Sequence, residues 1–191
     1  MSRAQIEAGL ERLSRLAETS KSLADATAAA AARYITVLRA GGTLFFCGNG
    51  GSAADAQHLA TEYVVRYSNS RRALAAIALT TDSSILTAAG NDFGFEQVFS
   101  RQIEALCRPQ DLLVLHSASG RSGNLLQAAR VARERGVGTV GFLGRGGGEL
   151  AGLVDLAVVV PSDLTSEIQV IHLALEHLIV ELVEGELART A

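Results

Sequence analysis

Cysteine, proline and clustered basic charge are all scarce in this 191-residue sequence. Two cysteines, Cys47 and Cys107, are too few for the disulfide framework on which small secreted domains depend. Each ends an apolar stretch, which predicts buried, inert thiols and a reducing cytoplasmic setting. With only two prolines, no internal repeat and no low-complexity linker, the sequence predicts one domain over 1–191, with helices in 1–42 and an α/β body in 43–191. No apolar run reaches the ~18 residues that a membrane span requires. The opening "MSRAQIEAGLERLSRLAE" is charged and helical and lacks the apolar core of a signal peptide, so none is expected. The formal net charge is −3 and no Lys/Arg block stands out, which leaves a nucleic-acid partner without electrostatic support. The densest basic spot, Arg71-Arg72, reads as a solvated loop before a strand.

What is abundant is apolar. Hydrophobic residues make up 48% and charged residues 19%, a balance that supports a packed core rather than disorder. Ile6, Leu10, Leu13 and Leu16 recur at helical spacing. The alanine-rich "ADATAAAAARYITVLRAGG" predicts a second helix that stops at Gly41-Gly42. Its small side chains allow close helix approach, and it is expected to face a neighbouring subunit. Beyond this N-terminal helical pair, strands at 44–47, 74–79, 112–115, 137–142 and 156–160 alternate with helices. These are expected near 52–67, 83–89, 95–107, 122–135 and 164–184. Nearly continuous apolar strands joined by helices predict a doubly wound, parallel five-stranded α/β sheet covered on both faces. Ligands of such a sheet bind at the carboxyl ends of its strands.

The polar motifs fall at those ends. "CGNGGSAADAQHLATEY" (47–63) is a strand end, a glycine turn and a helix, with Ser52 as the expected N-cap. Bare amides at such a turn favour an anion or a polar oxygen. His58 and Glu62 sit one helical turn apart and can share an ion or a proton, though an ordinary i,i+4 hydrogen bond fits that spacing equally well. "HSASGRSGN" (116–124) presents serine hydroxyls and glycine amides at a helix start, a phosphate site without a Walker lysine or else a Ser/Gly-rich turn with an N-cap serine. "GNGGS" is not the dinucleotide fingerprint, and no acidic ribose-binding residue ends the second strand, which disfavours NAD. "GRGGG" (144–148) reads as a loop. The last helix carries Gln169, His172, Glu176 and His177, where a lone histidine reads as a core or surface residue. Gln169 and His177 are separated by about 12 Å of rise and some 80° of rotation. They reach one ligand only if their side chains lean together or if different subunits supply them.

Taken in order, "CGNGGSAADAQHLATE", "ALTTDSSILTAAGNDFGFEQVFSRQIEAL", "SASGRSGN" and "VPSDLTSEIQVIHLALEHLIVELVE" resemble the phosphoheptose isomerases of the sugar isomerase (SIS) superfamily. The resemblance implies a homotetramer with active sites between subunits. It also implies conversion of D-sedoheptulose 7-phosphate into D-glycero-D-manno-heptose 7-phosphate, the first step toward the ADP- or GDP-heptose of bacterial surface polysaccharides such as lipopolysaccharide. By motif match, Asn49, Gly50 and Gly51 hold substrate with Asn91 and Asp92, and Ser117, Ala118, Ser119 and Ser122 form the phosphate loop. His58, Glu62, Gln169 and His177 are the implied Zn²⁺ ligands, Glu62 and Gln169 also meet substrate, and Glu62 and His177 are the acid–base pair. No redox cofactor is implied. The family loop usually reads S-T-S-G-N-S-P-N, whereas this chain has Ala118, Arg121 and Gly123 at its second, fifth and seventh positions. A cation at a helix start opposes the macrodipole unless an anion lies close, so Arg121 is expected to replace the lost hydroxyl as a phosphate ligand. Two rival readings are a non-enzymatic SIS regulator that contacts the replication initiator and an isomerase of another sugar phosphate. The regulator is expected to lack part of the His/Glu/Gln/His set, which this chain keeps whole.

Overall fold

A computed structural model describes residues 2–188. Helix α1 (Arg3–Thr19) passes through a 3₁₀ turn (Ser20–Leu23) into α2 (Ala24–Arg39). The body follows as β1 (Leu44–Gly48), α3 (Gly51–Val64), β2 (Ala76–Ala78), α4 (Ser83–Phe93), α5 (Ser100–Leu106), β3 (Leu112–Ser117), α6 (Gly123–Glu134), β4 (Gly138–Leu143), β5 (Leu156–Val159) and α7 (Thr165–Ala188). The five strands form one parallel sheet in the order β2-β1-β3-β4-β5. The order reverses at β1, so the loops leaving β1 and β3 diverge to opposite faces and open a crevice between them. Gly48 at the end of β1 pairs in register with His116 near the end of β3, which puts the two glycine/serine turns side by side.

Strand side chains alternate between two cores, as a pleat demands when helices cover both faces. Leu44 and Phe46 face α2, α3 and α7 together with Tyr34, Leu59, Tyr63 and Ile179. Phe45 and Cys47 face the other layer, with Phe99, Ile103 and Leu125. Both cysteines are free and buried, as expected. Burial pushes the Cys47 thiol far up and the Cys107 thiol up to about 12, so neither is a nucleophile near neutral pH. The alanine-rich α2 buries Ala30, Ala31, Tyr34 and Leu38 in the chain's own core, while Ala28 and Ala32 stay exposed.

Several expectations shift. Strand β2 is shorter than 74–79. The helix expected over 95–107 is interrupted: Gly94 at φ +90° starts a 3₁₀ turn (Phe95–Gln97) before α5 begins. Gly50, not Ser52, stands at the N-cap of α3, and Ser52 is buried inside the first turn. Helix α3 stops at Val64 rather than 67, because Arg71 donates from Nη1 to the Tyr63 carbonyl and from Nη2 to that of Glu62. Arg71 itself is no solvated loop residue: its side chain is 5% exposed and ion-paired with Glu184.

Candidate active site

The crevice between β1 and β3 is closed at its base by a reciprocal amide pair. Asn49 and Asn124 each donate Nδ2 to the other's Oδ1, at 2.9 and 2.8 Å, and so fix the two turns to one another. Above them lies a cavity of about 200 Å³. Its walls include Asn49, Gln169 and the serine loop of Ser117, Ala118, Ser119 and Ser122. The Gly120 amide donates to Ser117 Oγ and the Arg121 amide to Ser119 Oγ. Gly120 has φ +62°, and a Cβ there would run into the Gly147 carbonyl, so no other residue lets this turn close. Ser122 occupies the N-cap of α6 but its side chain makes no capping hydrogen bond, which leaves the hydroxyl free for a ligand. Hydroxyls, amides and a helix start facing one polar cavity suit an anion.

Helix α7 runs beside α3 and delivers two side chains to it at different heights. Gln169 Nε2 donates to Ser52 Oγ at 3.3 Å, and its amide fills the space that a side chain on Gly51 would need. Two turns later His177 Nε2 meets His58 Nε2 at 2.9 Å, and His58 Nε2 lies 3.4 Å from Glu62 Oε1. Glu62 and His177 are half-buried and His58 is exposed. The Tyr67 ring stacks on His177, with centroids 5.5 Å apart and planes 29° from parallel.

Ligand atoms of His58, Glu62 and His177 all lie within 4.8 Å of one another, a group able to hold a metal ion. Neighbouring ligand atoms of a tetrahedral zinc with ~2.0–2.1 Å bonds lie about 3.3 Å apart. The observed spacings of 2.9 and 3.4 Å bracket that figure, and two imidazoles with a carboxylate suit Zn²⁺ chemically. These three side chains meet within one chain, so their union needs no second subunit. Asn91 and Asp92 are not brought to them: they are exposed on α4, where Asn91 Nδ2 donates to Asp92 Oδ1, and Asp92 borders a separate recess with Phe93 and Arg101. Arg121 is exposed and does not line the serine-loop cavity.

Behind the site lies a buried polar pair absent from the expectations. His116, the residue before the serine loop, contacts Glu176, the residue before His177, through Nε2 and Oε1 at 2.8 Å. Burial opposes charge on His116, but Glu176 and, behind it, Asp55 outweigh burial and hold its pKa above the ordinary value. His172 is the opposite case. Burial pushes its pKa down to about 3, and it donates Nε2–H to the Leu143 carbonyl as a neutral ring. The available sequence signal was a histidine closing an apolar strand and a carboxylate in an apolar helix, since such groups are buried only when paired. Arg145 and Thr165 also line the cavity and were not singled out.

The chain is similar to known proteins over most of its length. The SIS domain profile matches residues 9–144. The chain is 56% identical over 150 residues to a phosphoheptose isomerase of Akkermansia muciniphila, covering 78% of this chain and 79% of the relative. It is 49% identical over 183 residues to that of a Roseiflexus species, covering 96% and 91%. Among solved structures, the phosphoheptose isomerase of Neisseria gonorrhoeae superposes with a TM-score of 0.91 at 38% identity, covering 96% of this chain and 98% of that one. The corresponding protein of Francisella tularensis gives 0.94 at 32%, covering 97% and 99%. Identity of about 50% over most of both chains, and a shared fold along nearly the whole length, place the chain in the phosphoheptose isomerase family of SIS-domain proteins.

Proposed function

We propose that the chain is a single-domain aldose–ketose isomerase that converts D-sedoheptulose 7-phosphate to D-glycero-D-manno-heptose 7-phosphate, at the start of heptose biosynthesis in the cytoplasm. The observation that carries this reading is the convergence of His58, Glu62 and His177 near an anion-binding cavity on the same pair of helices. Ser52 borders the cavity, and His58 follows it six residues on, or about 9 Å of helix rise. An extended seven-carbon sugar phosphate spans such a gap, with phosphate at Ser117, Ser119 and Ser122 and its carbonyl end at Glu62. Asn49, Gly50, Gly51 and Gln169 then flank the chain of hydroxyls, and Ala118 contributes backbone only.

Glu62 takes a proton from C1 of the ketose, leaving an enediol, and returns it to C2. His177 moves a proton from the C1 oxygen to the C2 oxygen, a task suited to an imidazole. Tyr67 stacked on His177 holds that ring in place. His58, Glu62 and His177 would hold Zn²⁺, which supplies polarisation of a bound oxygen when present, and Gln169 would join them as a fourth ligand only by leaving Ser52.

We further infer a homotetramer in which Asn91 and Asp92 complete a neighbour's site, since their own chain keeps them away from its cavity. An apolar groove of about 390 Å³ between α1–α2 and α7, bordered by Leu175, Leu178 and Leu182, supports burial against another copy. Among the described residues no helix is long and apolar enough to cross a membrane. The intact His/Glu cluster favours an enzyme over a non-catalytic regulator. The test is turnover of sedoheptulose 7-phosphate by purified protein, with metal analysis and with chelator present or zinc restored. Heptose 7-phosphate as product and loss of rate on chelation are expected. No turnover under any of these conditions overturns the reading.

A further inference from the structure

The serine-loop cavity contains a cation within a segment that composition marks as a plain glycine-rich loop. Arg145 follows β4 and is the one non-glycine among the described residues with positive φ, at +48°. Such strain persists only where the surroundings impose it, and it concentrates at ligand-binding sites. The restraints are visible. The Arg145 amide donates to the Ser162 carbonyl at 3.1 Å, Nε to the Asp163 carbonyl at 3.0 Å, and Nη2 to Thr165 Oγ1 at 3.0 Å. These acceptors are all neutral, and among the described residues no carboxylate pairs with Arg145. A guanidinium is therefore held at two points against the start of α7, at the exposed rim of the cavity and without a carboxylate partner among the described residues. It shares one cavity with the hydroxyls of Ser117, Ser119 and Ser122.

We propose that Arg145 is the cation that binds the substrate's phosphate and sets the preference for phosphorylated over unphosphorylated sugars, a role that rests on the isomerase reading above. The fork of a guanidinium matches phosphate oxygens, and a tether on one edge leaves Nη1 for the anion. The same geometry explains how the loop tolerates Ala118: the hydroxyl missing there is offset by a charge arriving from β4.

The test compares wild type, Arg145→Gln and Arg145→Lys, with Arg130→Gln on the exposed face of α6 as a control for lost charge. KM for the sugar phosphate and the inhibition constant of inorganic phosphate should each rise about 10- to 100-fold in Arg145→Gln, the range for losing a charge-assisted hydrogen bond. The kcat should change far less, and Arg145→Lys should recover most of the loss. Arg130→Gln should match wild type. Unchanged constants in Arg145→Gln overturn the inference. So does a shift in Arg121→Asn without one in Arg145→Gln. A lysine variant as defective as the glutamine variant, with an equally lowered melting temperature, also overturns it by reducing Arg145 to a structural tether. Calorimetric titration with inorganic phosphate separates this inference from the isomerase reading. A protein without turnover whose phosphate binding still depends on Arg145 retains the anion site and loses only the assigned reaction, whereas equal phosphate binding by both proteins overturns the site.

Discussion

Arg71 Nε and Glu184 Oε1 meet at 3.0 Å with side chains only 5% and 1% exposed, joining the loop after α3 to the far end of α7. Glu184 also accepts the amides of Tyr67, Ser68 and Asn69, while Arg71 caps the last carbonyls of α3, that of Glu62 included. Replacing Arg71 by methionine strands a buried carboxylate, and breaking such a pair costs about 3–5 kcal/mol. Urea denaturation should register that loss. A change under about 1 kcal/mol would mean that the pair is not buried as described.

The same carboxylate predicts a pH response. Burial alone would raise the Glu184 pKa, but the three backbone amides and Arg71 outweigh burial and hold it below the ordinary 4.5. A group whose folded pKa is depressed contributes stability that is fully present above its unfolded value and lost as pH falls through the folded one. Melting temperature should therefore drop as pH falls below about 4.5, and Glu184→Gln should be less stable at neutral pH with a flatter acid limb. Parallel curves for the two proteins would contradict the assignment.

Glu62→Gln keeps the shape of the side chain and removes its capacity to accept a carbon-bound proton. The kcat should fall by about 10²–10⁴-fold, with mass in solution and melting temperature close to wild type. Near-native turnover in the purified variant would show that another group is the base.

Leu178 and Leu182 are 53% and 51% exposed on α7, beside the groove against α1–α2. Glutamate at both positions should convert the tetramer expected by light scattering into smaller species. Activity should fall with it, because Asn91 and Asp92 then reach no neighbouring site. An active monomer at micromolar concentration would refute the shared-site arrangement.

Much of the architecture was legible because its signals are local. Nearly continuous apolar runs marked the five strands, and the glycine and serine turns at the ends of β1 and β3 marked the crevice. His58 and Glu62 were legible as a pair because i,i+4 spacing on a helix is independent of the rest of the chain. Gln169 and His177 posed a conflict from spacing alone, and the structure resolves it by tertiary means. With α7 alongside α3, one residue meets Ser52 and the other His58, so they need not turn toward a common point. Arg71 was misread because its partner lies 113 residues away, and nothing in "SRRAL" signals burial. Arg145 was missed for a related reason. Its importance comes from a backbone conformation that composition does not encode and from contacts to residues 162–165.

The contact between the serine loop and the turn after β4 bears on how this protein can be recombined with its relatives. Gly120 sits against the Gly147 carbonyl, and its own carbonyl accepts the Leu150 amide at 3.0 Å. Neither segment has room for an independent change of path. A segment grafted over 117–122 should clash with the resident turn wherever it carries a side chain at position 120, and should fit where it keeps glycine there. The two stretches, 22 residues apart in the chain between Ser122 and Gly144, are thus fitted to each other through one residue without a side chain.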